Sequence, residues 1–169
     1  MAEFQITLGS QNQNVRGETK TTVTNDTGSS ADVTSPKVFP AGGVGAEGGI
    51  VIGDKKDAIT FPVSGLFNFD TGSGASLWQA GATGGLRYKF FATEATSWSA
   101  TLKLGGAYTS ISIDKGTGVS GMGALVLFEI SGQLTDQWSI VASRGMYIPS
   151  FTGFDMRQGI DTLGVRRSF

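Results

Sequence analysis

At 169 residues with a formal net charge of −1, the chain suits one domain with a sizeable core, and its scattered Lys and Arg form no basic stripe for nucleic acid. It has no cysteine and no histidine, which excludes disulfide and thiolate chemistry and removes the commonest general base and transition-metal ligand. Charged residues make up 16% of the chain, below the roughly 25% of ordinary soluble domains, and 26 residues are glycine.

No run reaches the ~20 apolar residues of a membrane helix, and "MAEFQITLGS" lacks the basic and apolar regions of a signal peptide. Ala2 directly before an alternating segment resembles the start of a mature exported protein behind an added Met. Period-two alternation runs almost throughout, and helical periodicity is absent.

In chain order, strands are predicted near 3–18, 36–53, 58–70, 76–91, 97–114, 118–134, 137–149 and 157–169. Phe4, Ile6 and Leu8 alternate with Gln5, Thr7 and Gly9; Val44, Ala46, Gly48, Ile50 and Ile52 alternate with Gly45, Glu47, Gly49 and Val51. "ITFPVSGLFNFD" sets Phe61, Val63, Phe67 and Phe69 against Thr60, Pro62, Ser64, Leu66 and Asn68. In "LWQAGATGGLRYKFF", Trp78, Leu86, Tyr88 and Phe90 oppose Gln79, Thr83, Arg87 and Lys89. "WSATLKLGGAY" sets Trp98, Leu102, Leu104 and Tyr108 against Ser99, Thr101 and Lys103, and "GMGALVLFEISGQL" sets Met122, Val126, Phe128 and Ile130 against Leu125, Leu127, Glu129 and Ser131. Tight turns "GDKKD", "ATEATS" and "TDQ" alternate with other connections, of which the Ser/Thr/Asn/Asp-rich stretch at 20–35 reads as a mobile exposed loop. Shorter loops are expected at 70–74, 114–118 and 149–156, with no domain boundary in 1–169.

Alternation fits a soluble sandwich and a membrane barrel equally; volume separates them. The lumen of an eight-stranded barrel is only just wide enough for side chains to fill it, and the aromatic faces would overfill it. The opposite faces are small and polar, dominated by Gly, Ser, Thr and Gln. The prediction is an all-β, eight-stranded antiparallel up-and-down transmembrane β-barrel, apolar side out, in which closure satisfies every backbone group. Trp78, Trp98 and Trp138 at strand starts, with Tyr88 and Phe90 at a strand end, suit aromatic girdles; core aromatics near strand ends are the alternative.

The final segment "GIDTLGVRRSF" has Leu163, Val165 and Phe169 at alternate positions. In this, and in its strand pattern, the chain resembles the small outer-membrane barrels of OmpA and OmpX/Opa type. The resemblance implies location in the bacterial outer membrane as a mature chain, both ends in the periplasm, and an assembly signal at Leu163, Val165 and Phe169 read by the barrel-assembly machinery. Arg167 departs from the pattern, since an aromatic is usual there.

Alternation turns Glu47, Arg87, Lys89, Lys103, Glu129 and Arg166 inward. Arg144 breaks the phase of its strand, and since a cation facing lipid at mid-depth costs roughly 2–4 kcal/mol, it is expected to turn inward through a bulge. Buried charges must be paired, so these seven should form an ion-paired plug. It resembles the interior network of OmpA-type barrels, where such pairs can gate a minor conductance; plain filling of the lumen is the other reading. No catalytic residue, cofactor or metal is expected: barrel enzymes use Ser–His or Asp–His pairs, Glu47 and Glu129 would lack substrate access, and Asp26 and Asp32 lie in a loop. The expected function is a monomeric, non-enzymatic outer-membrane surface protein whose partners are the lipid bilayer and, through the 20–35 loop, a host or surface ligand. The alternatives are a small gated pore for ions or small solutes and a soluble lipid-binding barrel, the latter without its early Gly-x-Trp.

Overall fold

The computed structural model describes residues 2–24, 30–54, 56–72, 75–93, 96–113, 119–150 and 158–169. Strict alternation produces eight strands: β1 (Ala2–Thr24), β2 (Ser30–Ile52), β3 (Ile59–Gly72), β4 (Ala75–Ala92), β5 (Ser97–Ile113), β6 (Val119–Gln133), β7 (Trp138–Pro149) and β8 (Gln158–Ser168). Each pairs antiparallel with its sequence neighbour, and β1 pairs with β8 from Gln5↔Ser168 to Val15↔Gln158, closing the ring. In β3 the two faces separate fully. Ile59, Phe61, Val63, Phe67 and Phe69 are exposed, while Thr60, Ser64, Leu66, Asn68 and Asp70 are buried. The barrel is therefore inside out, as the volume argument requires.

Three short connections, from Ile52 to Ile59, Ala92 to Ser97 and Gln133 to Trp138, share one end of the barrel. In the first, Gly53 takes φ 131°, open to glycine and costly for other residues, and the Asp54 amide is held by the Asp57 carboxylate at 2.8 Å. The loops expected at 114–118 and 149–156 lie, apart from Pro149 and Ser150, outside the described residues.

The stretch expected as a 20–35 loop is largely strand. Beyond Val15 and Gly42, where pairing with β8 and β3 ends among the described residues, β1 and β2 continue to pair with each other. Nine residue pairs run from Arg16↔Val38 to Thr24↔Ser30. At strand rise this is a two-stranded ribbon about 30 Å long standing on the barrel rim. The Thr and Val residues of "KTTVT" and "ADVTS" favour extended backbone, which a reading based on polar composition discounts.

The inward faces are not uniformly polar. Leu66, Ala107, Leu125, Leu127, Tyr147 and Ile160 form one buried apolar cluster across the lumen. Room for it comes from glycine: a Cβ on Gly123 would run into Cζ of the Tyr147 ring. Gly123→Val is expected to displace that ring and cost about 1–3 kcal/mol, read as a lowered urea midpoint of the lipid-folded protein.

Candidate functional site

The lumen is filled in layers. Nearest the turns lies a cavity of about 340 Å³ whose wall includes Ser99, Ser131, Ser139, Lys89 and Arg87. Its hydroxyls and amides are tied across strands: Ser99 to Ser131 at 2.8 Å, Ser97 donating to Gln133 at 2.6 Å, and Gln5 donating to Ser168 at 3.1 Å.

Above it sits the charge layer, centred on Glu129 of β6, which is 1% exposed. Arg166 of β8 grips its carboxylate with two parallel hydrogen bonds, Nη1 to Oε1 at 2.7 Å and Nη2 to Oε2 at 2.6 Å. This fork geometry is the strongest side-chain pairing available to a carboxylate. Lys103 of β5 donates to Glu129 at 2.7 Å and to Glu47 of β2 at 2.6 Å, joining the two carboxylates. Arg87 of β4 stands 3.9 Å from Glu129 and donates to Gln5 at 3.1 Å, and Ser64 donates to Glu47. Inward alternation on five strands thus brings Glu47, Arg87, Lys103, Glu129 and Arg166 together. Lys89 lines the cavity on the turn side of this cluster.

The apolar cluster closes the next level. Tyr147 donates to the carbonyls of Ala107 at 3.2 Å and Gly121 at 3.3 Å, so its buried hydroxyl is satisfied. Higher still, Asn68 donates to Gln79 at 3.0 Å and Gln79 to Thr109 at 2.9 Å, a chain across β3, β4 and β5.

Arg144 does not join the network, contrary to the expectation from sequence. The β6–β7 and β7–β8 registers run without a shift, so no bulge turns it. Its side chain is 85% exposed on the outer wall, where Nε stands 3.5 Å from Oδ1 of Asp161, its register partner on β8. The carboxylate opposite partly offsets the charge of Arg144 and holds it on the outer wall.

Apart from the buried Tyr147, aromatics stand outward, and those toward the two ends of the belt form two groups. Trp98, Trp138, Tyr88, Phe90 and Phe91 ring the turn end, with a register shift between Lys89 and Phe91 that leaves both Phe90 and Phe91 exposed. Trp78 and Tyr108, with ring centroids 5.4 Å apart, stand toward the opposite end. Arg167, where an aromatic was expected, lies over the rings of Trp138 and Phe169 at 5.6 and 4.7 Å, spreading its charge over the girdle. Leu163, Val165 and Phe169 all face outward.

A closed ring of eight strands, an apolar outer belt and an ion-paired lumen define a small transmembrane β-barrel. Solved structures share the fold at low identity. Neisserial surface protein A matches with TM-score 0.56 and 16% identity over 100% of this chain and 99% of its own. Ail, the attachment invasion locus protein of Yersinia pestis, matches with TM-score 0.50 and 16% identity over 99% and 98%. The outer membrane enzyme PagL matches with TM-score 0.50 and 10% identity over 94% and 98%. No protein-family model matches the chain, and no curated protein matches its sequence. At these identities the likeness establishes the fold, on which function has to be argued from the site.

Proposed function

We propose that the protein is a non-enzymatic surface element of the bacterial outer membrane, which presents the β1–β2 ribbon for adhesion to a host molecule or another surface component and keeps its lumen shut. The observation that carries this reading is the projecting ribbon set beside a lumen filled by an ion-paired layer and an apolar layer. Its Thr-, Ser- and Asp-rich sequence suits a hydrogen-bonding contact surface. Ail and Neisserial surface protein A carry attachment and surface location in their names, and both share this fold. Against an enzyme stand the lack of histidine in the chain and the engagement of Glu47 and Glu129 with Lys103. In the same reading, Leu163, Val165 and Phe169 form the strand edge offered to the assembly machinery.

Removing residues 17–37 and bridging with a short turn tests the role of the ribbon. The shortened barrel is expected to fold, shown by a gel mobility that changes on boiling, while cells displaying it lose at least tenfold in adhesion to host cells or matrix. Undiminished adhesion by the shortened barrel would remove the ribbon from the function.

A second reading, a gated pore for ions or small solutes, is favoured by one feature: the cavity at the turn end reaches Arg87 and Arg166, so solutes could approach the charge layer from that side. A resolved single-channel conductance of the unmodified protein would support it.

A further inference from the structure

The outer wall carries a charge pair where an apolar surface is expected. Arg144 stands six residues along β7 from the girdle residue Trp138, and Met146 and Ile148 continue the exposed apolar row beyond it. Phe128, its register partner on β6, is exposed beside it, as is Leu163 on β8. On the β6–β7 side the pair is thus bordered by apolar residues, while on the β1 side its neighbours are Asn12, the register partner of Asp161, and the exposed Ser10. Arg144 uses one N–H toward Asp161, at 3.5 Å, and among the described residues shows no other polar contact. Hydrocarbon offers nothing to the remaining guanidinium donors.

We propose that the β7–β8 wall is a self-association face, against which a second copy of this chain packs in the same bilayer with Arg144 of each copy on Asp161 of the other. Two copies inserted with the same orientation can be related by a two-fold axis along the membrane normal. Across such an axis depth is preserved and left exchanges with right, so the cation of one copy meets the carboxylate of the other. Four alternating charges then close a ring in which each guanidinium gains a second carboxylate. The pair is self-complementary, whereas an unrelated partner would have to supply a matched pair at the same depth. Ala142 and Gly159, outward beside the pair, keep the wall low enough for close approach. This departs from the monomer expected when Arg144 was read as a lumen residue.

The chain has no cysteine, and a Cβ at Gly159 or at Gly84, on β4 across the barrel, meets nothing within 4 Å. Gly159→Cys and Gly84→Cys, folded into phospholipid vesicles and treated with a short flexible bis-maleimide, test the face directly. Gly159→Cys is expected to give a cross-linked dimer at least tenfold more abundant than Gly84→Cys gives. Adding Arg144→Asp, or Asp161→Arg, to Gly159→Cys sets like charges face to face and should abolish that excess; adding both should restore it. Mobility with and without boiling verifies that each variant is folded, and if a single swap does not fold, the two cysteine variants alone decide. Equal cross-linking at Gly159→Cys and Gly84→Cys, or an excess that survives a folded single swap, would overturn the proposal.

Discussion

Glu129→Ala is expected to lower the stability of the lipid-folded barrel by about 3–5 kcal/mol, the cost of removing one partner from a buried ion network. Glu129 is the only carboxylate among the described residues that contacts Arg166 and Arg87 as well as Lys103. Its loss leaves Arg87, Lys103 and Arg166 with Glu47 as the remaining carboxylate of the cluster, and Glu47 is paired with Lys103. Glu47 is itself less buried, with its side chain 20% exposed. Glu47→Ala should therefore cost less, about 1.5–3 kcal/mol, the range for hydrogen bonds to charged groups. Urea unfolding of both variants in vesicles checks the order; equal losses would show that Glu129 is not the centre of the network.

Tyr147→Ala is expected to cost about 3–5 kcal/mol, as for other large aromatic truncations, and to open the second seal. Tyr147 is 1% exposed and spans toward Gly121 on the neighbouring β6 and Ala107 on β5 beyond it, so its removal hollows the apolar layer without touching a charge. Two layers in series mean that neither truncation alone should conduct freely. Planar-bilayer recordings are expected to show little current for Glu129→Ala, because Leu66, Leu125, Leu127 and Tyr147 still close the path. The double variant, if its folding is confirmed, should conduct clearly more than either single one. A large steady conductance in Glu129→Ala alone would mean that the apolar layer is no seal.

Much of this arrangement was legible because the side-chain period of a strand is two, so a run such as "ITFPVSGLFNFD" declares both its faces. The inward residues of the charge cluster followed from that rule strand by strand. Which cation meets which carboxylate did not, because contacts across the lumen depend on the stagger of strands around the ring. The bidentate hold of Arg166 on Glu129 joins β8 to β6, two strands that are not hydrogen-bonded neighbours. The apolar layer escaped notice for the same reason: Leu66, Leu125 and Leu127 sit on the correct faces, yet only the stagger stacks them with Tyr147 and Ile160. Arg144 shows the opposite error, a rule about one side chain applied before its partner on the next strand was known. Composition misled over the β1–β2 ribbon, where polar residues lie in paired strands.

The central claim is that the aromatic faces point into lipid, and the chain's three tryptophans report on it together. The measurement is tryptophan fluorescence in vesicles containing brominated phospholipids. Trp78, Trp98 and Trp138 are all exposed on the outer wall toward the ends of the belt, so emission should be blue-shifted and quenched, more strongly by bromines near the headgroup than by bromines near the chain ends. Unquenched emission from a protein that is folded and monodisperse in plain buffer would place those rings in a soluble core and contradict the account.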